Sequence, residues 1–186
     1  MAKQFAGIAE AHRAFIARQK VFFVASAAAG TRVNLSPRGT DWFRVLGPNA
    51  VAYLDRTGSG NETAAHIRAG GRITAMFCAF EGPPSILRLH GAGRVLHRRS
   101  PAFRDMLAER FGGEAPLGAR QVVAIDVDLV QTSCGFGVPL FEHAVERAAM
   151  DKWAAARGEA GIEAYRREKN RSSMDGLPTG LFEDDG

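Results

Sequence analysis

Two periods of apolar and polar positions run along this chain, and the switches between them mark its elements. From Gly7 to Gln19, Ile8, Ala11, Phe15 and Ile16 recur at helical spacing and predict an amphipathic helix. Val21 to Ala29 (VFFVASAAA) reads as a strand, and Gly30-Thr31 as a turn. Arg32 to Gly39 (RVNLSPRG) sets Val33 and Leu35 against Asn34, Ser36 and Arg38, and Pro37 argues for an edge or a strand end. Phe43 to Leu46 is a further short strand, turned by Gly47-Pro48-Asn49 into the apolar run Ala50 to Leu54. A polar turn, Asp55 to Asn61, leads to a short helix from about Asn61 to Ala69; Gly70-Gly71 ends it, and a second apolar run, Ile73 to Phe80, leaves.

After the loop EGPPS, Ile86 to His97 alternates in strand period, and Gly91 and Gly93 predict a bulge or tight bend within it. Ser100 is placed as a helix N-cap with Pro101 in the first turn, the helix ending at Gly112-Gly113. Arg120 to Gln131 is the last long strand, and TSCGFGVP a loop. Glu142 to Lys169 is helix-prone, broken around Gly158 and Gly161; Asn170 to Gly186 has turn composition and an acidic end. The pattern amounts to about six strands and two or three helices. Most strand pairs lack an intervening helix, which disfavours a parallel sheet. The predicted fold class is mainly β with flanking helices: a closed or nearly closed antiparallel barrel, one domain over residues 1–186, with a C-terminal helix and tail from about 142.

Composition narrows the function classes. The chain has 186 residues, 46% hydrophobic and 24% charged, ordinary for a globular domain. No apolar run approaches the roughly 18 residues of a membrane span, and MAKQFAGIAEAHRAF lacks a secretory core, so a cytoplasmic, membrane-free protein is expected. The net charge is +4, and the lysines are Lys3, Lys20, Lys152 and Lys169; the rest of the basic set is arginine, suited to phosphate or carboxylate. No dense basic run argues for nucleic acid. Cys78 and Cys134 read as buried free thiols. There is no HExxH and no Cys/His cluster, so no metal site is expected. GxSxG, a Rossmann GxGxxG and a Walker lysine are absent, which removes the α/β-hydrolase, dinucleotide and P-loop classes.

Two constellations carry chemistry. Ser59-Gly60-Asn61-Glu62 fits a capping box, which would explain Ser59 and Glu62 without a ligand. The same loop suits an anion: Gly58 and Gly60 permit close approach, and Ser59, Asn61 and Thr63 add donors beside the main-chain amides between Thr57 and Thr63. Glu62 would oppose a phosphate unless Arg56, Arg38 or Arg32 offset it. Asn34, Ser36 and Arg38 share one strand face, which either meets solvent or suits a flat heterocycle with carbonyl and N–H edges, such as an isoalloxazine or pyridoxal ring. His12 and His66 read as surface or packing residues. Arg88 and His90 share a face, either as a cross-strand structural pair or as a meeting point for an anionic ligand.

In order, RVNLSPRG, VAYLDRTGSGNETAAHI, GRITAMFCAF and LRLHGAGRV resemble the pyridoxamine 5′-phosphate oxidase-like superfamily, the FMN-binding split β-barrels, over roughly Phe15 to Val138; SCGFGVP and NRSSMDGLPTG resemble one branch of it. The resemblance implies a homodimer with two flavin sites in its interface. It implies cofactor contacts from Arg32, Asn34, Ser36 and Arg38, from Asp55, Ser59, Gly60, Asn61 and Thr63, and, on the partner's strand, from Arg88 and His90. The oxidase itself has Ser-Arg-Lys where this chain has Asn61-Glu62-Thr63, so pyridoxamine phosphate is not the expected substrate. The expectation is an FMN-dependent oxidoreductase with no protein acid or base assigned. The alternatives are a deazaflavin-dependent reductase and a non-catalytic flavin- or haem-binding dimeric module.

Overall fold

The computed structural model describes residues 2–141 and 148–183. In chain order the elements are β1 (Lys3–Phe5), α1 (Glu10–Arg18), β2 (Val21–Ala27), β3 (Asn34–Gly39), β4 (Phe43–Gly47), β5 (Ala50–Arg56), α2 (Glu62–Arg68), β6 (Arg72–Cys78), β7 (Ile86–His97), α3 (Pro101–Arg110), β8 (Ala119–Ser133) and α4 (Ala149–Lys169). The start of the helix-prone stretch from Glu142, residues 142–147, lies outside the described residues.

All strand pairs are antiparallel, in the order β3-β2-β6-β7-β8-β5-β4, with β1 on the free end of β8. β3 and β4 end the sheet without pairing to each other. The result is a curled half-barrel of the split type, as expected from the sequence. The strands read from the sequence are all present, and β1, which is too short to show a period, is added to them.

Strand β5 is apolar from Ala50 to Leu54 because both of its faces are covered. Val51 and Tyr53 enter the interior with Phe22, Phe43, Ile73, Phe77, Leu87, Val123 and Ile125. Ala52 and Leu54 lie on the other face with Val122, Ala124, the α3 residues Phe103 and Leu107, and Phe111 at the C-cap of α3. At the interior centre the Phe22 ring stacks on Phe77 and meets Phe43 edge-on, with centroids 5.5 and 4.9 Å away, arrangements favoured by the ring quadrupoles. Helix α3 starts as its sequence predicts: the Ser100 hydroxyl accepts from the Phe103 amide at 3.2 Å with Pro101 in the first turn.

Glycine matters most in β7. The β7–β8 register shifts between His90 and Gly91, the bulge predicted from sequence. A Cβ on Gly91 would lie 2.2 Å from Asp126 O, a main-chain atom that cannot swing away. We expect Gly91→Ala to cost about 1–3 kcal/mol, as overpacking does, read as a lower urea midpoint. An unchanged midpoint would mean the strands slide past the clash. At Gly158 (φ 64°) α4 kinks, again where the sequence breaks.

Candidate functional site

Strand parity sorts the predicted site residues. Residues directly opposite in an antiparallel pair share a face. Arg38, Ser36 and Asn34 of β3 pair with Phe22, Val24 and Ser26 of β2, whose side chains are buried on the interior side. Arg88 and His90 of β7 pair with Met76 and Thr74, which pair with Phe23 and Ala25, on the opposite face. Arg88 and His90 are therefore not brought to the Asn34–Arg38 wall within one chain. There they act as a structural set: Arg88 donates to Ser133 Oγ at 3.1 Å, and His90 Nδ1 lies 3.0 Å from Thr74 Oγ1. Burial, with the charge of Arg88 behind it, lowers the His90 pKa.

On the interior side a cleft of about 1170 Å³ opens where β3 diverges from β5. Asn34, Ser36 and Arg38 line it, with Tyr53, Ser59, Gly60, Glu62 and Thr63. The C-terminal segment supplies Lys169, Ser172, Ser173 and Met174. Six of the expected contacts thus share one cavity: Asn34, Ser36, Arg38, Ser59, Gly60 and Thr63. Asp55 and Asn61 are not on its surface; they are 1% and 2% exposed and lie behind it. Arg32 is exposed and tied to Asp175 of the tail.

The layer behind the cleft is an ionic network. Both oxygens of Asp55 are engaged: one by the Arg38 guanidinium, the other by Arg120 Nε and by Gln121 Nε2, each at 2.7 Å. Burial alone would raise the Asp55 carboxyl; the charges of Arg120 and Arg38 outweigh it and hold the group below the usual carboxylate range. Burial pulls Arg38 down, and Asp55 more than offsets this. The Arg38 guanidinium also lies 5.0 Å from the centre of the Tyr53 ring, a cation–π contact. Burial pushes the Tyr53 phenol up to about 12, against the opposing charge of Arg38. Gln121 Nε2 also reaches Asn61 Oδ1 at 2.7 Å.

The loop from Thr57 to Asn61 is held by its oxygens. Arg120 donates to Gly60 O at 2.7 Å, and Asn170 Nδ2 to Gly58 O at 3.0 Å. Arg166 Nε donates to Thr57 Oγ1 at 2.8 Å. The carbonyls of Gly58 and Gly60 are thereby occupied. Of the predicted amide set, Thr57 is spent on Gly118 O, while among the described residues no such partner is found for Gly58, Ser59 or Gly60.

The capping box is not formed. The helix starts at Glu62 with Asn61 as N-cap, two positions too late for Ser59 to serve. The Glu62 carboxylate accepts the Met174 amide of the tail at 3.0 and 3.1 Å, which answers the apparent conflict of an acid beside an anion loop. Sequence reasoning missed Arg120, Gln121, Arg166 and Asn170 altogether. Their one available signal was polar side chains with elements that otherwise pack well, and their partners lie 47 to 112 positions away. His66 is a packing residue, 1% exposed, its Nδ1 3.0 Å from Ser26 Oγ. Cys78 is buried as expected, its thiol pushed up by burial, whereas Cys134 is exposed because it begins the surface loop after β8. No helix among the described residues is long and apolar enough to cross a membrane.

Comparison with known proteins bears on the fold and on descent. The family described as pyridoxamine 5′-phosphate oxidase matches residues 8–134. The chain is 41% identical over 179 residues to the pyridoxamine 5′-phosphate oxidase family protein ustO of Aspergillus flavus, covering 87% of this chain and 71% of that protein. Among solved structures, a candidate pyridoxamine 5′-phosphate oxidase of Lactobacillus delbrueckii is similar at TM-score 0.53 and 17% identity, over 68% of this chain and 94% of that one. A HupZ variant of Group A Streptococcus is similar at TM-score 0.52 and 20% identity, over 68% and 99%. These two likenesses speak for the fold; the sequence matches speak for descent. The chain belongs to the pyridoxamine 5′-phosphate oxidase family.

Proposed function

We propose that the cleft holds FMN and that the chain is a flavin-dependent oxidoreductase whose substrate is not pyridoxamine phosphate. One observation carries the reading. Ser36 Oγ and Arg38 Nε are shielded from solvent, lack a protein partner among the described residues, and sit two positions apart on the strand face that lines the cleft. Unpartnered buried polar atoms are costly, so a wall that keeps them is shaped for something that satisfies them. Adjacent O–H and N–H donors suit the acceptor edge of a flat heterocycle.

Bound FMN would supply the redox chemistry through its own ring. This chain's part is placement: β3 orients the ring edge, Tyr53 stays a neutral phenol in the floor, and the loop amides face the phosphate. The proposal includes a homodimer. Leu35 is 63% exposed on the outer sheet face, which also carries Phe23, Met76, Arg88 and His90, and Val33, just before β3, is 72% exposed. A second copy seated there would cover them.

The test is the visible spectrum of the purified protein, with FMN titration followed by Trp42 fluorescence. Ser36→Ala should weaken FMN binding by about 0.5–1.5 kcal/mol, one hydrogen bond, with the thermal midpoint unchanged. Failure to take up FMN at micromolar concentration would overturn the reading. Tighter binding of a deazaflavin would move the assignment to that cofactor. Sedimentation at the mass of one chain would remove the dimer.

A further inference from the structure

Residue Met174 stands out from the other exposed apolar side chains. It is 67% exposed, yet its backbone is fixed on both sides. Its amide donates to both carboxylate oxygens of Glu62 in the first turn of α2, at 3.1 and 3.0 Å. Its neighbour Asp175 accepts from the Arg32 main-chain amide at 2.9 Å and from the Arg32 guanidinium, just before β3. The segment is a tight turn in its own right. Ser172 bridges Pro178, the Ser173 and Leu177 backbones pair at 2.9 Å, and Ser173 Oγ accepts the Leu177 amide at 3.1 Å. Upstream it is anchored by Asn170, fully buried against Arg120 and Gly58 O. The tail therefore ties α2 to β3, the two walls of the cleft, and sets Met174 on the cleft lining between the ties.

Singly exposed apolar side chains are ordinary on a folded surface; what sets Met174 apart is a backbone tied at Glu62 and, through Asp175, at Arg32, on the lining of the cleft. A methionine fixed at the mouth of a polar cleft has a use when a flat ring enters: its polarizable sulfur packs on aromatic surfaces. The β3 wall offers donors to the edge of such a ring, and Met174 is the large apolar side chain that the tail adds to the same cavity. We infer that Met174 is a ligand-contact residue that covers one face of a planar aromatic cofactor. The inference deepens the flavin reading and rests on it for the planarity of the ligand. It assigns the C-terminal turn to the binding site, with Glu62 and Arg32 as positioning residues for Met174.

The experiment compares wild type, Met174→Ala and Met174→Leu. FMN and, separately, iron protoporphyrin are titrated, and the dissociation rate of each bound ligand is measured. Amide exchange at position 174 is followed in the unliganded protein. Met174→Ala should release FMN roughly five- to tenfold faster, the scale of one sulfur–ring contact, and Met174→Leu within about twofold of wild type. Unfolding midpoints should not move, and the Met174 amide should exchange slowly. If FMN binds and Met174→Ala releases it at the wild-type rate, the inference fails and the flavin reading stands. If FMN does not bind but the porphyrin does, and leaves Met174→Ala faster, the flavin reading fails and the inference stands. If neither binds wild type, both fail. A fast-exchanging Met174 amide, or a substitution that changes self-association and not ligand release, overturns the inference.

Discussion

Replacing Asp55 with alanine should destabilise the protein by about 3–5 kcal/mol, the cost of breaking a buried ion pair on one side. The side chain is 2% exposed, and each of its oxygens is committed to a guanidinium. Removing it leaves Arg120, whose side chain is 4% exposed, and Arg38, at 21%, facing each other without their shared counter-ion. Gln121 Nε2 keeps only Asn61. Asp55→Asn should cost less, because an amide oxygen still accepts from one partner. Urea unfolding followed by far-UV circular dichroism measures both, and a loss below about 1 kcal/mol for Asp55→Ala would show that water or rearranged side chains replace the carboxylate.

The same network gives acid sensitivity a definite sign. The folded-state pKa of Asp55 is depressed. Its contribution is therefore complete above the unfolded value, about 3.9, and disappears as pH falls through the lower folded value. Wild type should lose stability on acidification below about pH 4, and Asp55→Ala should lose less of it over that window. Because Arg38 stands on β3 and Arg120 holds Gly60 O, the substitution should also weaken FMN binding. A variant that is destabilised but binds FMN normally would separate the network from the cleft.

The elements of the barrel were legible because each is written in adjacent residues. The Val21 strand, the Ala50 strand with its loop and short helix, the Gly91 bulge and the Ser100-Pro101 helix start all depend on neighbours within a few positions. The cleft wall was legible for the same reason, since Asn34, Ser36 and Arg38 alternate on one strand. What was hidden depends on distant partners. Asp55 was placed among the ligand contacts because it opens the polar loop; its neutralising Arg120 lies 65 positions on, and the pair closes on itself behind the cavity. Glu62 looked like a helix cap because Ser59 lies three residues before it. Its actual partner is 112 positions away, in a tail whose composition announced only turns. Arg88 and His90 were readable as a same-face pair, but which face was decided by a ladder running through β6 and β2.

Substituting Arg166 with alanine should cost about 1–3 kcal/mol for the buried acceptors it leaves unsatisfied, and should do so unevenly. Arg166 is 1% exposed and reaches from α4 into the barrel. Its Nε donates to Thr57 Oγ1 and one terminal nitrogen to Ala119 O, each at 2.8 Å, while the other meets Glu163 at 3.3 Å. Burial pulls its pKa down to about 10, with the charge of Arg98 adding to the effect and Glu163 opposing it. Lysine should not rescue the variant, since one ammonium cannot match a fork aimed at separate acceptors. The barrel core does not depend on this contact, so α4 should come away first. The two tryptophans report the two parts: Trp42 stacks on Phe111 beside the barrel, and Trp153 meets Tyr165 within α4. In wild type the Trp153 signal and the β-sheet circular dichroism should unfold together; in Arg166→Ala the Trp153 signal should move to lower urea while the sheet signal moves less. Coincident transitions would mean that helix and barrel are one cooperative unit held by more than this guanidinium. Since Thr57 opens the loop that lines the cleft, separated transitions should be accompanied by weaker FMN binding even where the sheet is intact.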